Sequence, residues 1–200
     1  MKGSLIIVGF FVLGTICGVC HLLPFDIAET NISYYALCAL MFSVGLSVGN
    51  DPQTLKNFRS LNPRLVFLPI MTILGTLAGS AAVSLILTHR SITDCLAVGS
   101  GFGYYSLSSI FITEYKGAEL GTIALLANIS REILTLLAAP LLVRWFGNLA
   151  PISAGGATTM DTTLPIITQT AGQQFVVVSI FHGFVVDFSV PFLVTLFCSI

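Results

Sequence analysis

Long apolar runs alternate with short polar interruptions along the whole chain, and the placing of the interruptions predicts its elements. Runs over about Leu5–Leu23, Ile32–Val48 and Leu65–Leu87 each approach the roughly 20 residues that cross a bilayer as a helix. Each holds one pair of glycines four apart, Gly14 and Gly18, Gly45 and Gly49, Gly75 and Gly79, a spacing that lets helix backbones pack closely. After His89-Arg90 the pattern changes. Thr93–Thr113 has the length of a span but is broken at Gly99-Ser100-Gly101-Phe102-Gly103-Tyr104-Tyr105-Ser106. A longer run, about Ala118–Phe146, has a polar middle, Asn128-Ile129-Ser130-Arg131-Glu132. Next comes Gly155–Pro165, where two adjacent glycines, four threonines and a proline disfavour a plain helix. Its neighbours are apolar, and irregular backbone at membrane depth is tolerated only where protein covers it or it lines a wet cavity. A last run, about Gln173–Ser199, carries His182 and Asp187.

Composition turns this pattern into a class. The 200 residues are 55% hydrophobic and 8% charged, against about a quarter charged in soluble domains. The chain is therefore expected to be an all-α integral membrane protein whose solvent is the lipid bilayer. No basic run is present, so nucleic acid is not expected as a partner. The start of the chain lacks an A-x-A cleavage site and reads as a retained span rather than a signal peptide. Cys17-x-x-Cys20-His21 is half of a metal site with no second cysteine pair to complete it; no metal is expected, and these two cysteines read as small buried thiols, with Cys38, Cys95 and Cys198 likewise in or beside apolar runs. Lys2 precedes the first span, and Lys56, Arg59 and Arg64 follow the second, while the loop between them holds Asp26 and Glu29. The positive-inside rule puts the N-terminus in the cytoplasm. Residues 1–90 then form a three-span scaffold.

An internal repeat organises the rest. At an offset of 55 residues Gly101 falls on Gly156, Ser106 on Asp161, Thr113 on Thr168, Gly117 on Gly172 and Glu132 on Asp187. The unit, one broken segment plus one helix, occurs at 91–147 and again at 148–200. If each broken segment is a re-entrant hairpin, successive units point in opposite directions, the inverted repeat of many secondary transporters. If the segments cross fully, the two copies are parallel. The hairpin reading is preferred: about five transmembrane helices plus two re-entrant hairpins, an inverted repeat in the C-terminal half, and a transport core at 91–200. Either count leaves the C-terminus outside.

The candidate chemistry sits at the middle of these elements. Glu132 and Asp187 lie near the centres of their helices and Asp161 at the second break. A charge at bilayer centre costs about 2.5–3.5 kcal/mol on insertion scales, so three carboxylates at one depth call for a cation. Arg131 neutralises a neighbour; adjacent helix positions point about 100° apart, so its partner is expected on another element rather than at Glu132. Asn128 shares a face with Glu132, as a substrate ligand or as a holder of the carboxylate. Tyr104, Tyr105 and Ser106 occupy the first break and Thr159 the second. His182 is read either as a core histidine or as a proton relay. The Gly99-x-Gly101-x-Gly103 run follows no strand and is not a dinucleotide fingerprint. The Gly-x-Gly-Asp motif of an intramembrane aspartyl protease is absent, so no enzyme is expected.

Several of these stretches together resemble a known family. Ser100-Gly101-Phe102-Gly103-Tyr104-Tyr105-Ser106-Leu107-Ser108, Arg131-Glu132-Ile133-Leu134, Gly156-Ala157-Thr158-Thr159-Met160-Asp161 with Leu164-Pro165, and His182-Gly183-Phe184 are similar to the LysO lysine exporters over essentially the whole chain. The resemblance implies export of L-lysine and its analogue thialysine across the bacterial inner membrane, with the acids at Glu132 and Asp161 essential. No cofactor is implied; the coupling ion is H⁺, with Na⁺ as the alternative, and another cationic amino acid, a diamine or a cation channel are the rival readings. Longer members carry about three further spans ahead of the matching part, so a small three-span partner subunit or a homodimer is expected. Asp187 is not an acid expected throughout the family, and its role rests on the repeat.

Overall fold

The computed structural model describes residues 63–87 and 89–200, with 13, 14, 16–20, 35, 39 and 42 of the N-terminal part. Most of the first two expected spans, the loop charges Lys2, Asp26, Glu29, Lys56 and Arg59, and Cys38 lie outside the described residues. The chain divides into two compact units, Met1–Leu46 and Ser47–Ile200. The second unit holds both breaks and every candidate site residue.

All regular structure among the described residues is helical. A 3₁₀ turn at Pro63–Val66 leads into α1, Phe67–Ser84. Next come α2, Ile92–Gly99, and α3, Tyr105–Lys116, with the glycine-rich break between them. The long helix α4 is Ala118–Phe146. The second break comes after it as α5, Ala150–Gly155, a 3₁₀ turn at Gly156–Met160, and α6, Leu164–Ala171. A short 3₁₀ turn at Gln173–Phe175 opens α7, Val176–Ser199. Three helical stretches, Phe67–Ser84, Ala118–Phe146 and Gln173–Ser199, are long and apolar enough to cross a membrane. Leu134, Leu137, Phe188 and Phe192 are exposed on α4 and α7, which suits a surface facing lipid.

Local chemistry explains the boundaries. Ser91 caps α2 by accepting the Asp94 N–H at 3.0 Å, satisfying a donor that a helix start otherwise leaves open. α3 ends at Gly117 with φ +92° and α6 at Gly172 with φ +112°. That left-handed backbone suits glycine, and each of these residues swings the chain from a half-helix into a long helix.

Both broken segments fold back on themselves. Asp94 in the first turn of α2 pairs with Lys116 at the end of α3, 3.8 Å apart. Arg90 pairs with Glu119 beside them. The start of α2 and the end of α3 therefore share one end of the unit. In the second segment Ile152 of α5, Ile167 and Ala171 of α6 and Val178 of α7 form one buried cluster, flanked by Val143, Leu149 and Phe175. The start of α5 and the end of α6 thus meet beside the C-terminal end of α4. With 29 residues α4 is about 43 Å long at 1.5 Å per residue, and the two bases sit at its opposite ends.

The two tips meet halfway. The Ala157 N–H donates to the Phe102 carbonyl at 2.9 Å, joining the second break to the first. Phe102 is fully buried and has φ +46°, unusual for a residue with a side chain. Gly156, at φ +63°, lies so close that a Cβ would run into the Phe102 carbonyl oxygen. The tip junction is closed by backbone and admits no bulk at that position.

Candidate functional site

Glu132 is the middle residue of α4, fourteen from either end, and Asp187 lies at the middle of α7, eleven after Val176 and twelve before Ser199. Asp161 follows the 3₁₀ turn at the second tip and is exposed, its carboxylate accepting the Thr162 N–H. Glu132 is 8% and Asp187 4% exposed. Three elements thus present three carboxylates around one junction. Asp161 lies within electrostatic reach of both other acids. The Thr162 side chain is within hydrogen-bonding reach of the Glu132 carboxylate. From the first tip Tyr105 lies within electrostatic reach of Glu132 and Asp161, and Tyr104 of Asp187 and Asp161. Ser106 is half-buried in the first turn of α3, its carbonyl accepting the Ser109 hydroxyl at 3.4 Å.

Four other residues singled out from the sequence do different work. Asn128 accepts the Gly103 N–H at 2.8 Å and donates to the Val98 carbonyl at 3.2 Å and the Ala124 carbonyl at 2.9 Å. Its amide bonds to the backbone of the first hairpin and of α4 itself, not to the Glu132 carboxylate. Arg131 donates from Nε to the Ala154 carbonyl at 2.8 Å and from Nη2 to the Ser153 carbonyl at 3.0 Å. Its Nη1 reaches the Thr76 hydroxyl at 3.3 Å, and the guanidinium lies 5.8 Å from the centre of the Phe102 ring. The partner is on another element, as the helix geometry required, but it is a pair of carbonyls at the end of α5 rather than a carboxylate. Among the described residues no acid lies within ion-pair distance of Arg131.

His182 and Thr159 are fully buried. The His182 Nδ1 lies 3.2 Å from the Thr159 hydroxyl, and its Nε2 lies 2.9 Å from the Thr72 hydroxyl. Thr159 also bonds to the Gly156 and Ser179 carbonyls at 2.8 and 2.9 Å. Five positions along a helix turn through about 140° net, so His182 and Asp187 face different ways. His182 ties the second tip to α1 and α7. Thr72 and Thr76 were missed in the sequence. Their spacing of four, which puts both hydroxyls on one face of an otherwise apolar helix, was the signal.

One cavity of about 730 Å³ lies behind this junction, between α1, α2 and α4, lined mainly by apolar groups with Asn128 and Arg131 at its wall. None of the three carboxylates lines it. No group of metal-ligating residues occurs among the described residues.

Long apolar helices, two broken segments meeting tip to tip and carboxylates at mid-helix define a membrane-embedded protein with a polar centre at the level of its breaks. The chain belongs to the lysine exporter LysO family, whose profile matches residues 8–198. It is 36% identical over 196 residues to the lysine exporter LysO of Escherichia coli K12, covering 98% of this chain and 64% of that protein. It is 34% identical over 196 residues to a putative lysine exporter of Haemophilus influenzae, covering 96% of that protein. No solved structure matches the chain.

Proposed function

We propose that this protein is a secondary transporter that moves L-lysine out of the cytoplasm across the inner membrane. The observation that carries the reading is the grouping of Glu132, Asp161 and Asp187 at the tip junction while Arg131, the charge nearest in sequence, is engaged by carbonyls. A site with surplus negative charge at that depth takes a cation. The ε-ammonium of lysine sits against Glu132 and Asp161. Its carboxylate lies at the N-terminal ends of α3 and α6, both of which start at the tips and carry the positive end of a helix dipole. The names of the relatives support lysine over the other cationic amino acids and diamines, and thialysine is included as its close analogue.

The architecture proposed is an inverted repeat of re-entrant hairpins. Its support is the shared base of α2 and α3 at one end of α4, the shared base of α5 and α6 at the other, and the Gly117 and Gly172 turns 55 residues apart. With the N-terminus cytoplasmic, the first base lies outside, the second inside and the C-terminus outside. Export is driven by protons entering as lysine leaves; sodium is the alternative. A small three-span subunit or a second copy of the chain completes the assembly.

Accumulation of labelled lysine by inside-out vesicles under an imposed pH gradient tests this. Vesicles carrying the protein are expected to accumulate lysine and lose it on collapse of the gradient. Equal uptake with and without the protein would contradict the reading.

A further inference from the structure

The three carboxylates are not equivalent. Asp161 is exposed at the tip, and the Thr162 side chain faces Glu132. Asp187 is 4% exposed and makes no hydrogen bond or ion pair among the described residues. A buried carboxylate without a permanent cation is costly to keep, and a bound proton removes that charge.

We infer that Asp187 is the coupling-ion site of the transporter, binding the proton that exchanges for lysine, while Glu132 and Asp161 hold the lysine ammonium. The inference rests on the transport reading and divides its roles. Among the described residues, the titratable groups within electrostatic reach of Asp187 are Tyr104 from the first tip and Asp161 from the second. The helices α1, α5 and α6, which also pack on α7, carry no titratable side chain. Those of α2 and α3 beyond the tip, Asp94, Cys95, Glu114, Tyr115 and Lys116, belong to the outer turns at the hairpin base marked by the Asp94–Lys116 pair. His182 faces Thr159 and Thr72.

Asp161 supplies the coupling, because it lies within electrostatic reach of both Glu132 and Asp187. With Asp187 ionised, two negative charges flank the junction on the α7 side and favour the ammonium. A proton from the outside solution bonds to an Asp187 carboxylate oxygen and removes one of those charges, and the ammonium is released outward. The protonated site turns inward and the same O–H bond breaks to deliver the proton to the cytoplasm. The ionised site then binds the next lysine. One proton enters for one lysine cation that leaves, so charge balances.

The test uses Asp187→Asn, a near-isosteric change, in proteoliposomes of the full protein assembly, with two readouts. Exchange of labelled for unlabelled lysine needs only the ammonium site; accumulation driven by a pH gradient needs the proton site as well. The expected result is lysine exchange that persists with a raised half-saturation concentration, because the neutral amide stands in for the protonated acid, and loss of gradient-driven accumulation, with Asp187→Glu retaining both. Loss of exchange together with accumulation in D187N would overturn the inference, because Asp187 would then hold substrate or structure. Retention of both activities would also overturn it. Poor insertion of D187N moves the decision to D187E and Asp187→Ser: an inserted serine variant that still accumulates lysine against a gradient overturns it, and one that only exchanges supports it. Absence of any lysine movement in wild type would instead reject the transport reading, and this inference with it.

Discussion

At the residue scale, the central distinction is between side chains that present charge to the junction and side chains that build it. Glu132 and Asp161 present charge. Replacing either by its amide, Glu132→Gln or Asp161→Asn, is expected to cost about 3 kcal/mol or more of cation binding, about a hundredfold, with normal insertion. Export rates in whole cells check this, and near wild-type export by either variant would sink the proposed ammonium site. Asn128 and Arg131 build the junction. Arg131→Met leaves the Ser153 and Ala154 carbonyls without their donors, at about 1–3 kcal/mol for each buried group. Lysine at 131 provides a point charge on a flexible stem and lacks the planar fork that spans two carbonyls and a hydroxyl. Both variants should therefore lower the unfolding temperature in detergent, Met more than Lys. An unchanged melting temperature in R131M would remove the clamp role. At position 156 even alanine is expected to disrupt the junction, because of the Phe102 carbonyl.

At the scale of elements, the long helix was fully legible. Its expected bounds, about Ala118–Phe146, coincide with α4, because an apolar run flanked by Gly117 and Gly147 leaves little freedom. The two breaks were legible for the same reason in reverse: clustered glycine, threonine and proline disfavour a continuous helix. What holds the breaks was not legible. Asn128 beside Glu132 looked like part of a binding face, yet its partners are Gly103 and Val98, 25 and 30 residues away in the chain. Arg131 looked like a counter-ion, yet it serves carbonyls of α5. Such pairings depend on how hairpins pack, which periodicity does not encode. The topology is tested with single cysteines. Cysteines replacing Arg90 and Glu119 are expected to react with an impermeant maleimide from outside the cell, and cysteines replacing Trp145 and Gly172 only after permeabilisation. Reaction of positions 90 and 119 from opposite faces would require full crossings. The Asp94–Lys116 pair adds a second check: cysteines at both positions should be joined by a short bifunctional reagent.

For the whole molecule, the proposed inverted pair of hairpins would place one polar centre at equal depth from both faces, which is the condition for exposing it to each in turn. Backbone at the breaks must stay covered by protein or water. α1 provides part of that cover through Thr72, bonded to Ser153 and His182, and Thr76, bonded to Arg131. A further scaffold, from a small three-span subunit or a second copy, is expected to cover more of it, and the chain is not expected to transport as a monomer. Single-molecule photobleaching of active proteoliposomes checks the assembly: transport by particles with one bleaching step and no other subunit would overturn it, and full activity of a pure homodimer would exclude only the separate subunit. The most direct test of the central claim is competition in inside-out vesicles energised with a pH gradient. Unlabelled lysine and norleucine, which differ by the ε-ammonium, are added against labelled lysine, with E132Q and D161N in parallel. The account predicts that lysine competes, that norleucine does not, and that neither variant accumulates label. Equal competition by norleucine, or accumulation by either variant at the wild-type rate, would contradict it.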